Sequence, residues 1–167
     1  MSENTNADRT RTVAWQNPHL LAAAAHGLSG LEYLQKIVAG ELPPPPIGLL
    51  MDFRIIEVAE GRAVFGVTPS EFHYNPIGVV HGGVAATLLD SALGCAVHST
   101  LAAGTAYTTL EIKVNYIRPM TVATGPVRCE ARVIHQGSRT ATAEGRIADE
   151  QGKLYAHGTT TCIILRS

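Results

Sequence analysis

The sequence predicts an α+β domain in which one curved antiparallel sheet wraps a single long helix. Three observations carry this reading. The elements run in the order two strands, one long apolar segment, then four strands. The apolar segment, about Gly82 to Ala103, is apolar nearly all round, and such a helix must be enclosed. The strand connectors hold Gly61, Gly137 and Gly152, which suit consecutive antiparallel hairpins. Wrapping leaves the outer face of the sheet for solvent or a partner.

The elements follow in chain order. Met1 to Gln16 is polar and reads as disordered. Asn17 followed by Pro18 reads as a helix start, and Leu20, Leu21, Leu28, Leu31, Leu34, Ile37 and Val38 recur at mostly helical spacings. Gly27 and Gly30 weaken the middle of that helix, expected over 18–40, and Gly40 ends it. Pro43 to Pro46 reads as an extended, stiff spacer. The chain thus divides into an N-terminal extension, 1–46, and a main domain, 47–167.

In the main domain, Phe53 to Val58 and Arg62 to Val67 form the first hairpin. Thr68 to Val80 is a loop carrying Pro69, Asn75, Pro76 and Gly78. After the long helix, Thr109 to Ile117 alternates strictly, with Leu110, Ile112, Val114 and Tyr116 on one face. Val127 to Ile134, Arg139 to Ala148 and Leu154 to Leu165 supply the last three strands.

Composition narrows the function. The 167 residues make one domain with an extension. Charged residues are only 16%, against about 25% in typical soluble proteins. Either polar uncharged residues cover the surface or another subunit covers part of it. The net charge of −1 gives no pull towards nucleic acid or an anionic membrane. Cys95, Cys129 and Cys162 are odd in number and far apart, as for reduced thiols in a cytoplasmic protein. Val79 to Ala103 is long and apolar, but a mid-bilayer Asp90 would cost roughly 2.5–3.5 kcal/mol, so no membrane span is expected. The histidines show no metal-ligand spacing, and neither a GxSxG elbow nor a dinucleotide or phosphate-loop glycine motif occurs.

The chemistry concentrates in Asn75-Pro76-Ile77-Gly78-Val79-Val80-His81-Gly82-Gly83 and, further on, Leu88-Leu89-Asp90. Gly82 and Gly83 stand where the loop becomes the helix. Free N–H groups there can hold an anion or a developing oxyanion; alternatively, the glycines only make a tight turn. Asp90 is the one acid between Glu71 and Glu111. In a greasy helix it is either a structural carboxylate bonded to its neighbours or a general base or nucleophile. Eight residues of helix separate Gly82 from Asp90, roughly 12 Å at 1.5 Å per residue. Reacting groups must approach within about 3–3.5 Å. One helix cannot serve one carbonyl with both groups, but two antiparallel helices from two subunits can. The spacing predicts a composite site at a twofold interface.

His81-Gly82-Gly83, Leu88-Leu89-Asp90 and the strand Thr109 to Tyr116 ending Ile117-Arg118-Pro119 together resemble the hotdog-fold acyl-CoA thioesterases. The chain looks most like the phenylacetate-degradation (PaaI) type and the related 4-hydroxybenzoyl-CoA thioesterases, over about Ile47 to Arg166. The resemblance implies a sheet wrapped round a helix, with sites between the subunits of a dimer and dimers paired into a homotetramer. It implies that the Gly82 N–H and Asn75 hold the thioester oxygen, that Asp90 is nucleophile or general base, and that Thr109 orients water. His81 and Gly83 shape the turn beside the substrate. Gly137, Ser138 and Arg139 form a hairpin where family members contact CoA, and Arg118 is a second phosphate candidate. Acyl-CoA is the implied partner, with no metal or separate cofactor. Leu89, Leu93 and Val97 are candidate walls of the acyl pocket. The alternative is a non-catalytic acyl-CoA-binding or regulatory module of the same fold.

Overall fold

The computed structural model describes residues 8–166. A six-stranded antiparallel sheet in the order β1-β2-β4-β5-β6-β3 curves round one helix. Its strands are β1 (Phe53–Ala59), β2 (Arg62–Val67), β3 (Thr105–Tyr116), β4 (Val127–Gln136), β5 (Thr140–Asp149) and β6 (Leu154–Arg166). Three short helices, α1 (Pro18–Ala24), α2 (Gly30–Val38) and α3 (Pro46–Met51), precede the sheet, and the central helix α4 (Gly82–His98) crosses its concave face. Alternation places Ala63, Phe65, Val67, Cys129, Ala131 and Ile147 inward, where Leu88, Leu89, Leu93 and Val97 meet them, all but excluded from solvent. This is the architecture read from the sequence, and the last three strands fall within two residues of their expected bounds.

Four local expectations are corrected. The arm is not one helix over 18–40. Gly27 takes a left-handed turn (φ +80°), and Ser29 and Glu32 cap each other's backbone N–H groups to start α2 afresh. The spacer is extended only to Pro45, because Pro46 opens α3 as its first residue. Residues 1–7 of the expected disordered start lie outside the described residues, but Arg11 is tied down. Its guanidinium donates to the Leu49 and Leu50 carbonyls and lies 4.0 Å over the Phe72 ring. The central helix ends at His98 instead of Ala103. Ser99 and Thr100 turn their hydroxyls back on the Ala96 and Val97 carbonyls, and the Leu101 carbonyl accepts from Gly30 N–H at 2.9 Å.

A further correction bears on the site. β3 does not alternate strictly, because its pairing with β6 slips between Thr109 and Glu111. That bulge inverts parity along the strand. Before it Tyr107 and Thr109 face the helix; after it Ile112 and Val114 do, and Leu110 is left 58% exposed.

Charge collects on the outer face of the sheet. Arg62 bridges Glu57 and Glu130 at 3.0 Å each, Arg128 joins Glu57, and Arg132 joins Glu130. The arginines hold both carboxyls below the usual range. The deficit lies on the helix side, since α4 carries a single charged residue, Asp90.

The arm docks on the C-terminal end of α4. A Cβ on Gly30 would lie 1.8 Å from the His98 carbonyl oxygen, so only glycine admits this approach. The Tyr33 and Tyr107 rings sit 5.7 and 5.3 Å from the His98 ring. Gly30→Ala gains up to about 1 kcal/mol of helix propensity but meets overpacking that costs about 1–3 kcal/mol. We expect a net fall in thermal midpoint, measured by calorimetry. Burial pushes the His98 imidazole below its ordinary value of 6.5. The unfolded chain therefore binds more protons, so this contribution is complete above pH 6.5 and is lost as pH falls through the folded value. His98→Phe keeps the stacking and should flatten the decline in stability below pH 6.5, as denaturant titrations across pH will show.

Candidate active site

The loop from Tyr74 to Val80 closes on itself through a Tyr74–Val80 bridge and a Gly78 turn (φ +82°). Inside it the Asn75 Oδ1 accepts from the Ile77 and Val79 N–H groups at 3.1 and 3.3 Å. That orientation fixes the amide and leaves Nδ2, a donor, without a partner among the described residues. Val80 N–H donates to the Met120 carbonyl and His81 N–H to the His73 carbonyl, which pins the loop where α4 begins.

At the helix start, His81 is the N-cap. Its Nδ1 accepts from Gly83 N–H at 2.8 Å, and its carbonyl accepts from Val84 N–H. The Gly82 N–H is left with no acceptor among the described residues. A Cβ on Gly82 would meet the Tyr116 ring at 3.2 Å. Glycine here lets the Tyr116 ring lie close over this residue, and the two border a cleft of about 280 Å³. Arg118 lines the same cleft, with one guanidinium N–H held by the Leu154 carbonyl at 2.7 Å.

Asp90 lies eight residues further along α4, exposed, with Oδ1 accepting from the Thr109 hydroxyl at 3.0 Å. Thr109 reaches it because the β3 bulge turns this residue inward. A carboxylate so held has one oxygen committed and one free, and the threonine oxygen retains lone pairs for a water.

The expected residues thus fall into two clusters. Asn75, Gly82 and Arg118 gather at the N-terminal end of α4; Asp90 and Thr109 pair at its middle. Gly137, Ser138 and Arg139 form the β4–β5 turn. The Arg139 carbonyl accepts from Ile164 N–H, and neighbouring Ile163 pairs with Thr108. Tyr116 beside Gly82 is eight residues from Thr108, roughly 25 Å along a strand. The turn therefore belongs to the Asp90 end. Leu89, Leu93 and Val97 do not line an open pocket: each is fully buried against the sheet. The accessible stripe of α4 is instead Gly83, Thr87, Asp90, Ser91 and Cys95. His73 is a core histidine bonded to Ser70 N–H and the Met51 carbonyl.

A thioesterase-superfamily model matches residues 77–156. An esterase-named protein of Saccharolobus solfataricus is 32% identical over 117 residues, covering 70% of this chain and 81% of that one. The chain belongs to the thioesterase superfamily. A 1,4-dihydroxy-2-naphthoyl-CoA hydrolase of Listeria monocytogenes is 31% identical over 60% of this chain and 80% of its own. The solved structure of a phenylacetic-acid-degradation-related protein of Ralstonia eutropha superposes with TM-score 0.70 at 28% identity. It covers 78% of this chain and 98% of that one. The protein is thus a thioester hydrolase of hotdog fold. The family match spans Gly82, Asp90, Thr109 and Arg118 and leaves the arm outside.

Sequence reading missed Tyr116 and Tyr107. Tyr116 counted only as one position of an alternating strand, yet its ring fixes the space above Gly82. Tyr107, two residues before Thr109, brings its hydroxyl to 2.9 Å from where a Gly94 Cβ would stand.

The cap is testable apart from the chemistry. His81→Ala should lower stability by about 1 kcal/mol, and His81→Asn, which retains a side-chain acceptor, should restore most of it. Thermal unfolding of the two variants is the measurement.

Proposed function

We propose that the protein hydrolyses acyl-CoA thioesters to a carboxylic acid and free CoA at sites shared between two subunits. The observation that carries this reading is the separation of the two clusters. The unpaired Gly82 N–H and Asn75 amide are oxyanion donors, and Asp90 with Thr109 is a base, but roughly 12 Å of one helix divides them. A second α4 running antiparallel sets the start of one helix beside the middle of the other. The fold offers a way to pair: α2 and α3 pack against the β1 edge, while β3, at the opposite end of the sheet, has an uncovered edge.

In this mechanism water lies between the free Asp90 oxygen and Thr109. Asp90 takes a proton as the water oxygen attacks the carbonyl carbon, and the partner's Gly82 N–H and Asn75 amide hold the oxygen that becomes negative. The intermediate collapses, the C–S bond breaks, and the proton held by Asp90 passes to the departing sulfur. The participants are the two chains, the substrate and the one water that is consumed. Arg118 from the Gly82 side and Gly137, Ser138 and Arg139 from the Asp90 side flank the exit and hold the CoA phosphates. The three free thiols suit a reducing compartment such as the cytoplasm. The ionic outer face of the sheet is available for pairing dimers into a tetramer.

Asp90→Asn should lower kcat by about 10²–10⁴ while leaving the fold intact. Asn75→Asp keeps the acceptor that holds the turn and removes the donor, and should cost about 10²–10³. Mixing and reassociating the two inactive variants should restore activity to about one quarter of wild type, since half the dimers are mixed and each holds one intact site of two. No recovery on mixing refutes the shared site. Full activity of Asp90→Asn refutes the mechanism, and binding without turnover by the wild type supports the regulatory module.

A further inference from the structure

A second cavity, of about 640 Å³, lies between the arm and the sheet. Leu34 and Val38 of α2 roof it, Pro43–Pro45 close one side, Phe53 and Ile55 of β1 form the wall, and Cys95 of α4 reaches its floor. It is more than twice the size of the cleft beside Gly82 and within the range that encloses small-molecule ligands. Its lining is mainly aliphatic, more than a single ring would fill. The arm is held over it at fixed points: the Gly30–Leu101 hydrogen bond, the Tyr33–His98 contact and the Arg11 clamp on α3.

The cavity meets the catalytic stripe. Cys95 stands five residues beyond Asp90, roughly 7.5 Å along the helix, and one turn beyond Ser91. Burial, and then the Asp90 charge, push its thiol up to about 12. On the other flank, Tyr107 lies over Gly94. Ser91 and Cys95 are the next partly exposed residues of α4 after Asp90 on this side, and Cys95 lines the cavity beneath the arm.

Resting on the thioesterase reading above, we infer that the arm-roofed cavity holds the acyl chain, and that the preferred substrates are acyl-CoAs with medium or long unbranched aliphatic chains. The arm, which lies outside the family match, is then the element that sets chain length.

The test fills the cavity from two sides. Val38→Trp starts from a residue that is 39% exposed, which limits the risk to folding; Cys95→Phe fills the floor. Rates are measured for butanoyl-, hexanoyl-, dodecanoyl- and hexadecanoyl-CoA, and dodecanoate binding is followed by calorimetry. The expected result is a wild-type preference for the two longer chains. Each variant should lose at least about tenfold in kcat/KM on those chains, since even one methylene shut out of such a pocket is worth about tenfold or more, while butanoyl-CoA stays within about twofold. Dodecanoate binding should be lost in parallel. A wild type that prefers butanoyl-CoA, or variants with an unchanged chain-length profile and dodecanoate affinity, would overturn the inference while leaving the hydrolase reading intact. Absence of all hydrolysis with dodecanoate binding that Val38→Trp abolishes would sink the catalytic reading and uphold the occupant named here.

Discussion

The enclosure of α4 is the constraint from which the rest of the structure follows. A helix with a single charge cannot stand in water, and its buried side chains are satisfied only by a sheet that curves round them. The curved antiparallel sheet has β1 and β3 at its two ends. It also leaves one stripe of the helix uncovered, and that stripe bears the ionisable group. Because a helix is stiff, the positions of the donors and the carboxylate relative to one another are set by residue count alone. The loop, the N-cap and the bulge then refine which atoms point outward from that rigid rod.

The helix, the six strands and the motif were legible because each depends on neighbours in sequence. Periodicity reported the strands, and the Gly82–Asp90 spacing reported the separation of the two side-chain clusters. Less was legible where distant residues decide. The helix stops at His98 because Ser99 and Thr100 reclaim carbonyls and the arm takes another, and none of this shows in an apolar run that continues to Ala103. The break in the arm had a readable signal, the Ser29–Glu32 capping pair, which the leucine spacing masked. The assignment of Leu89, Leu93 and Val97 to the pocket failed for a geometric reason: the sheet occupies that side of the helix, and apolar character alone does not distinguish the two faces.

The distribution of charge adds to what composition suggested. Few charges overall left two readings, a surface of uncharged polar residues or one partly covered by another subunit. The sheet's outer face is in fact ionic, with Arg62 shared between two glutamates, and the depletion belongs to the helix. A shared arginine in partly exposed surroundings contributes modestly to stability but keeps the face hydrated. The low charge content thus reflects how much of the chain serves to encase α4.

The bulge in β3 has a consequence for how the protein can go wrong. Because parity inverts at Leu110, the register ahead of the bulge decides which residue meets the carboxylate. A slip by one residue ahead of the bulge would bring Thr108 or Leu110 to the position of Thr109 and turn Tyr107 away from the helix. Correct pairing of the edge strand is thus enforced by the burial of Tyr107 as well as by the Thr109–Asp90 hydrogen bond.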